Sequence, residues 1–182
     1  QSGAKPKTRN SQILILWETA KSRYEPDDTD IDFFVSGDEI LCAASLRILE
    51  AYKENTIRIF YIKPNIRYLS ELQKTTNKIV YNVLQEYTRS NKFESMYILD
   101  NDSVIKMLGK IPIVGYYDKI NTTIVDTIHM INYFDHTEPV LSKESETYKS
   151  YCIGTIGIMD FDSGVESNFY NIDKVRESRY YY

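Results

Sequence analysis

The sequence predicts an α/β protein, in which a Rossmann-like three-layer domain with a mainly parallel sheet is followed by the start of a second, β-containing domain. Two observations lead to this fold class. From residue 31 onward, short runs rich in β-branched and aromatic residues alternate with long amphipathic stretches. The connections between successive strands are long enough to hold a helix, and strands joined in this way form right-handed parallel units.

The first unit begins with a strand over residues 31–35. Ser36, Gly37 and Asp38 then offer a turn and an N-cap for a helix over residues 39–54. Apolar residues recur in that helix at three- and four-residue spacing and predict one buried face, made of Ile40, Leu41, Ala44, Ile48 and Leu49.

The second unit begins with a strand over residues 57–62, which Pro64 ends because proline lacks an N–H donor and restricts the residue before it. A long helix over about residues 68–90 follows, and residues 95–99 form the third strand. The apolar stripe of that long helix consists of Leu69, Leu72, Ile79, Val83, Leu84 and Tyr87.

The remainder of the chain contains two helices, over residues 101–108 and about 114–134, and then two β segments, over residues 151–159 and 165–172. Pro139 and the polar run at 142–147 break the pattern between them. The predicted organisation has four parts: an N-terminal helix and acidic loop over residues 1–30, expected to end a truncated first portion, the α/β domain over 31–138, a linker over 139–150, and the start of a second domain over 151–182.

Composition excludes several classes of protein. The formal net charge of -4 argues against a general nucleic-acid binder. No apolar run approaches the roughly 20 residues that span a bilayer, so we expect a cytoplasmic protein with no membrane partner. Cys42 and Cys152 suit buried thiols in a reducing compartment, and the 2 histidines exclude a Cys/His zinc cluster.

Candidate site residues lie just beyond the predicted strands. Ligands of open parallel sheets bind at the carboxyl ends of the strands, here residues 36–39, 63–65 and 100–103. The carboxamide of Asn101 can donate and accept at a purine edge, while Tyr117 and Asn121 share one helix face and could stack on a base and bond its edge. The alternative, which the pattern alone favours, is that Asn101 caps the helix it begins and Tyr117 belongs to the core.

Five segments in order resemble the nucleotide domain of the tubulin/FtsZ superfamily, over about residues 30–136. They are residues 32–35, 36–44, 57–64, 98–102 and 117–121, whereas residues 151–182 match the family's second domain only loosely. The resemblance implies a filament or assembly subunit that associates with its own copies or with other protein subunits, and GTP or GDP as its ligand. It assigns the guanine pocket to Asn101, Tyr117 and Asn121, and it leaves Gly37 as the remaining glycine of the phosphate loop.

That phosphate loop departs from the family's pattern of alternating Gly and Thr, whose backbone N–H groups cradle the phosphates. Asp38 and Glu39 place negative charge where phosphate should sit, and the bulky residues 40 and 41 hinder close approach of the backbone. These departures argue against family-type phosphate binding and leave open the GTP hydrolysis that the resemblance implies. We assign no catalytic residue and no metal ligand. A second function therefore stays open, that of a non-enzymatic structural or regulatory subunit of a larger complex.

Overall fold

The computed structural model describes residues 30–37, 40–110, 112, 114–135, 137, 153–175 and 178. The strands are β1 (Ile31–Ser36), β2 (Ile57–Lys63), β3 (Ser95–Asp100), β4 (Ile153–Gly154), β5 (Gly157–Asp160) and β6 (Val165–Asn168). The α-helices are α1 (Ile40–Ala51), α2 (Glu71–Arg89), α3 (Asn101–Leu108) and α4 (Tyr116–Asp135), and a 3-10 turn at Ile66–Tyr68 precedes α2.

Strands β1 to β4 form one parallel sheet in the order β1-β2-β3-β4. Ile31 pairs with Ile57 at one end of the β1–β2 register and Ser36 with Ile62 at the other, so the carboxyl ends of these strands lie together. Helices occupy the long connections between β1, β2 and β3, as the crossover argument requires. The predicted Rossmann-like α/β fold with a parallel sheet is confirmed.

The sheet separates two apolar clusters because successive side chains of a strand point to opposite faces. Tyr61 of β2 packs into the cluster that includes residues of α1 and α2, and its neighbour Phe60 packs into the cluster with α3 and α4. The first cluster also contains Cys42, so the prediction that this cysteine is a buried thiol is confirmed. Helices therefore cover both faces, which makes the three layers.

Helix α2 differs from the prediction in its start and in its buried face. Ser70 caps the helix and forms a capping box with Gln73, so α2 begins at Glu71 after a separate 3-10 turn. The buried residues of α2 are Val80, Leu84 and Thr88. Three members of the predicted apolar stripe are exposed instead, namely Leu72, Ile79 and Tyr87.

A hydrogen-bonded triad fixes the last turns of α4 against the amino ends of β1 and β2. The Arg58 guanidinium donates from Nε to Oδ1 of Asp32 at 2.8 Å and from Nη2 to Oδ2 at 3.0 Å. Arg58 Nη2 also donates to Oδ1 of Asn132 at 2.7 Å, and Asn132 Nδ2 donates to Asp32 Oδ2 at 2.9 Å. The largely buried charges are thus matched and hydrogen-bonded.

The C-terminal strands divide between two sheets. Sequence analysis expected residues 151–159 as one segment of a second domain, but β4 extends the main sheet beside β3, and β5 pairs with β6 in an antiparallel hairpin. The hairpin is anchored by Phe169, which is fully buried and whose carbonyl accepts from the Asp100 N–H at 2.7 Å. Residues 1–29 of the predicted N-terminal part over 1–30, and the predicted linker over 139–150, lie outside the described residues.

Candidate functional site

The carboxyl edge of the sheet brings the three predicted loop regions together. Gly37 N–H donates to the Ile62 carbonyl at 3.1 Å, which joins the ends of β1 and β2. The side chain of Asn65, after β2, donates from Nδ2 to Oδ2 of Asp102, after β3, at 3.1 Å. Polar groups from three parallel strands therefore share one edge, which is where sheets of this kind bind ligands.

Asn101 is the first residue of α3, and its neighbour Asp100 is the N-cap. The Asp100 carboxylate accepts from Asp102 N–H at 3.2 Å and from Ser103 Oγ at 3.3 Å. The alternative role of Asn101 as a helix cap is therefore wrong. Its own Oδ1 is shielded from solvent and accepts no hydrogen bond within the described part of the chain. Such a buried acceptor costs free energy until a donor reaches it.

Tyr117 lies in the first turn of α4 with 73% of its surface exposed, so the alternative that placed it in the core is wrong. Its ring makes an edge contact with Tyr116, with centroids 5.3 Å apart. Asn121 follows one turn later and is also exposed. The buried side of α4 consists of Ile120, Ile124 and Ile128, whereas Tyr117 and Asn121 lie on a neighbouring, exposed side of the helix.

Helices α3 and α4 lie side by side, since Val104 and Ile120 share one apolar cluster. Asn101, Tyr117 and Asn121 are thus carried by neighbouring helices. Among the described residues, however, no hydrogen bond or ring contact joins Asn101 to either of the other two. A ligand that touches all three must therefore bridge from the start of α3 to the start of α4.

The surroundings of Gly37 leave no space for a side chain. A Cβ atom on Gly37 would lie 2.7 Å from Cδ of Pro64 and from the hydroxyl oxygen of Tyr61, and closer still to Oδ1 of Asn77. The Tyr61 hydroxyl donates to that same Asn77 oxygen. The N–H of Gly37 is already bonded to Ile62, so this turn offers an anion neither a free backbone donor at Gly37 nor an open approach. Asp38 and Glu39 lie outside the described residues.

Lys63 supplies a positive charge at this edge. Its Nζ lies 5.0 Å from the ring centroid of Tyr170, which follows the hairpin. Nearby, burial raises the pKa of the Tyr81 hydroxyl, with a smaller contribution from Tyr170. The sequence placed Lys63 in the correct loop, but it had no signal for Tyr170, because the two residues meet only through tertiary packing.

The described residues contain no group of three or more His, Cys, Asp and Glu side chains that could hold a metal ion. His129 lies on the exposed side of α4. No described helix combines the length and the apolar character needed to cross a membrane.

Comparison with known proteins finds one relevant likeness, and it concerns the fold. The sequence matches no protein-family model and no curated protein sequence. A solved structure, CetZ from Methanosaeta thermophila strain DSM 6194, matches with a TM-score of 0.52 and 19% sequence identity. The fold is shared with CetZ.

The likeness covers 72% of this chain and 35% of the CetZ chain, so the present chain spans about a third of CetZ. The likeness to CetZ supports the α/β architecture that the sequence predicts. At this level of identity the likeness to CetZ concerns backbone architecture alone.

Proposed function

We propose that this domain is a tubulin-like assembly module whose carboxyl edge binds a guanine base. The observation that carries the proposal is Oδ1 of Asn101, a buried acceptor without a hydrogen-bond donor at the edge where parallel sheets bind ligands. The tubulin-like fold shared with CetZ supports it.

Guanine fits this arrangement better than adenine does. The Watson–Crick edge of guanine presents two adjacent donors, N1–H and the N2 amino group, whereas that of adenine presents one donor and one acceptor. Asn101 and Asn121 can each offer a carboxamide oxygen to those donors once the side chain of Asn101 turns toward the ligand. The exposed ring of Tyr117 offers a face for stacking, which contributes about 1–3 kcal/mol per base.

The proposal includes only weak binding of the phosphates. The N–H of Gly37 is bonded to Ile62, and the space above Gly37 is filled by Tyr61, Pro64 and Asn77. Lys63, at the end of β2, is a cation at this edge, and its Nζ lies over the ring of Tyr170. We therefore expect most of the binding free energy to come from the base, and little from the phosphates.

Calorimetric titration of the protein with guanosine, GDP, GTP and ATP tests the proposal. We expect guanosine and GTP to bind within about tenfold of each other, a difference of at most about 1.4 kcal/mol, and ATP to bind more weakly than either. Asn121→Ala should remove the preference for guanine, whereas Asn82→Ala, an exposed asparagine of α2, should not. Absence of guanosine and GTP binding at millimolar concentration would refute the ligand, and the tubulin-like fold would be unaffected.

Assembly is the second part of the proposal, and it needs its own measurement. Light scattering and sedimentation of the protein, with and without GTP, test whether it forms polymers. We expect assembly, and GTP should change its extent only slightly because the phosphates contribute little. A protein that stays at the same small size under all these conditions would contradict the role as an assembly module.

The closed turn at Gly37 also favours a second candidate function, that of a non-enzymatic structural or regulatory subunit. In that case the carboxyl edge binds no nucleotide, and the protein forms a stable complex with a partner in its absence. Guanosine binding in the titration above rejects this candidate. The two functions are therefore separated by one measurement.

A further inference from the structure

The side chain of Asn65 links the loop after β2 to the first turn of α3. Its Nδ2 donates to Oδ2 of Asp102 at 3.1 Å. Its Oδ1 accepts from the N–H of Arg67 at 3.1 Å and caps the 3-10 turn that begins at Ile66. Both ends of this carboxamide are therefore used, so its orientation is fixed and its donating end faces α3.

The start of α3 is also tied to the fold on its other side. The N–H of Asp100 donates to the carbonyl of Phe169 at 2.7 Å, and Phe169 is fully buried. Asn101 thus lies between two residues that are each bonded to another element, Asp100 through its main chain and Asp102 through its side chain. These two links fix the backbone of Asn101, whereas its own Oδ1 accepts no hydrogen bond within the described part of the chain.

A fixed backbone at Asn101 matters for telling one base from another. Hydrogen bonds to a base edge need donor–acceptor distances of about 2.7–3.2 Å and good alignment. Asn101 and Asn121 meet the two adjacent donors of guanine together only if the start of α3 keeps its distance from the start of α4. Stacking on Tyr117 does not require this spacing, because every base has a ring face. Selectivity therefore depends on the links at the start of α3 more than stacking does.

We propose that Asn65 is a positioning residue for base selectivity. Through Asp102 it holds the start of α3, so that Asn101 keeps a fixed spacing from Asn121. This inference rests on the proposed function of the carboxyl edge, and it gives Asn65 and Asp102 no contact with the ligand. Loss of the link should bring guanosine binding down toward that of adenosine, while adenosine binding changes little.

Calorimetric titration of the whole chain with guanosine and with adenosine tests this role, and the quantity compared is the ratio of the two dissociation constants. Asn65→Asp keeps an acceptor for the N–H of Arg67, but it replaces the donor with a carboxylate that repels Asp102. We expect the preference for guanosine to fall by about two- to tenfold. Asn82→Asp is the matched control, because it adds the same charge at an exposed position of α2, and it should leave the ratio unchanged.

A double variant tests whether the effect passes through the link itself. Asn65→Asp combined with Asp102→Asn places a carboxylate opposite a carboxamide again, with the donor now on α3. We expect this double variant to recover the wild-type preference for guanosine. Asp102→Asn alone keeps an acceptor for Asn65 and should also stay close to the wild type. Changes that merely disturb the fold would add up in the double variant and would not cancel.

A measurement without ligand follows the position of Asn101 directly. The side-chain carboxamide signals of Asn101 in the NMR spectrum should shift in Asn65→Asp and return in the double variant, while Asn82→Asp leaves them in place. Circular dichroism checks that all variants remain folded.

The outcomes separate this inference from the proposed function. If Asn65→Asp still binds guanosine with an unchanged ratio, the positioning role is overturned and the guanine site stands. A double variant that stays as unselective as Asn65→Asp also overturns the positioning role. If the wild type binds no guanosine, the proposed ligand is refuted and the inference about selectivity falls with it.

Discussion

The carboxamide oxygen of Asn101 accepts no hydrogen bond from the described residues. Replacing this side chain should therefore have opposite effects on folding stability and on ligand binding. Asn101→Leu removes the buried acceptor, so we expect the free energy of unfolding without ligand to stay the same or rise by up to about 1 kcal/mol. The same change should abolish the guanine preference. Chemical denaturation and calorimetry measure the two effects. Loss of stability together with unchanged binding would assign Asn101 to a structural role.

Tyr117 tests whether a ring face contributes to binding. Tyr117→Ala should weaken guanosine binding by about 1–3 kcal/mol because the stacking surface is lost. Tyr117→Phe keeps the ring and should bind as the wild type does. Neither variant should change the unfolding midpoint much, since this side chain is largely exposed. If both variants lose the ligand equally, the hydroxyl and not the ring makes the contact.

Gly37 is predicted to matter for packing. Gly37→Ala forces a methyl group against Tyr61, Pro64 and Asn77, so it should lower the free energy of unfolding by about 1–3 kcal/mol. Gly154→Ala is the control, because the nearest atom to its added Cβ is 3.8 Å away in the ring of Tyr97. Urea denaturation compares the two. Equal midpoints for Gly37→Ala and the wild type would show that the turn opens without cost.

The sequence could place the candidate residues in the correct loops, but it could not show their environments. Asn101 was predicted to follow β3, and it does so, since the strand ends at Asp100. That Asp100 and not Asn101 would cap α3 depends on which residue still has extended backbone, and either residue type caps well. The contact of Asn77 with Gly37 joins residues from different elements, so no local pattern predicts it.

At the scale of elements, strands were predicted more closely than helix faces. β1, β2 and β3 each begin at the predicted residue, because their apolar runs are short and bounded by turn residues. In α2, by contrast, apolar residues lie on two faces, and periodicity alone does not say which face the sheet covers. Val80, Leu84 and Thr88 are the buried residues, and Leu72 and Ile79 lie on the exposed face.

The turn of the β5–β6 hairpin leads to a pH prediction. Asp160 accepts from Ser163 Oγ at 2.6 Å and from Asp162 N–H at 3.1 Å, and these bonds hold the pKa of its carboxyl below the ordinary value of 3.8. Because the folded-state pKa is lowered, the stabilisation of the turn is present above pH 3.8 and is lost as the pH falls through the lower folded value.

Carboxyl-carbon NMR titration measures this pKa directly. Ser163→Ala removes the larger cause of the shift, so the pKa of Asp160 should rise toward its ordinary value. Ser167→Ala, in β6 of the same hairpin, should leave the pKa of Asp160 where it is. A pKa that is unchanged in Ser163→Ala would show that this hydroxyl does not hold the carboxylate.

At the scale of the whole molecule, the triad of Asp32, Arg58 and Asn132 connects two strands to the last turns of α4. Asn132→Ala removes one donor and one acceptor from a largely buried ion pair, so we expect a loss of about 1–2 kcal/mol in the free energy of unfolding. Thr122→Ala, at an exposed position of the same helix, should cost far less. Urea denaturation compares them, and equal losses in both variants would remove the special role of the triad.

The overall architecture could be predicted from the sequence more fully than the elements or the individual residue environments. A parallel three-layer fold follows from alternating strand and helix patterns, because the crossover length and the handedness rule leave few other arrangements. The triad itself was not predictable, since Asp32 and Asn132 lie 100 residues apart. In the folded chain the partner of Asp32 is Arg58, which comes from the neighbouring strand.

The triad also fixes the C-terminal end of α4 to the sheet, whereas its N-terminal end has no comparable hydrogen bonds among the described residues. Directional hydrogen bonds hold Asn132 beside the amino ends of the strands, whereas the exposed first turn, with Tyr117, is free of such bonds to the sheet in the described part of the chain. About 22 Å of helix separates the two residues, so a push of about 1 Å at Tyr117 tilts α4 by only about 3° around Asn132. We expect a displacement at the carboxyl edge of the sheet to reach the opposite edge as a small rotation of α4.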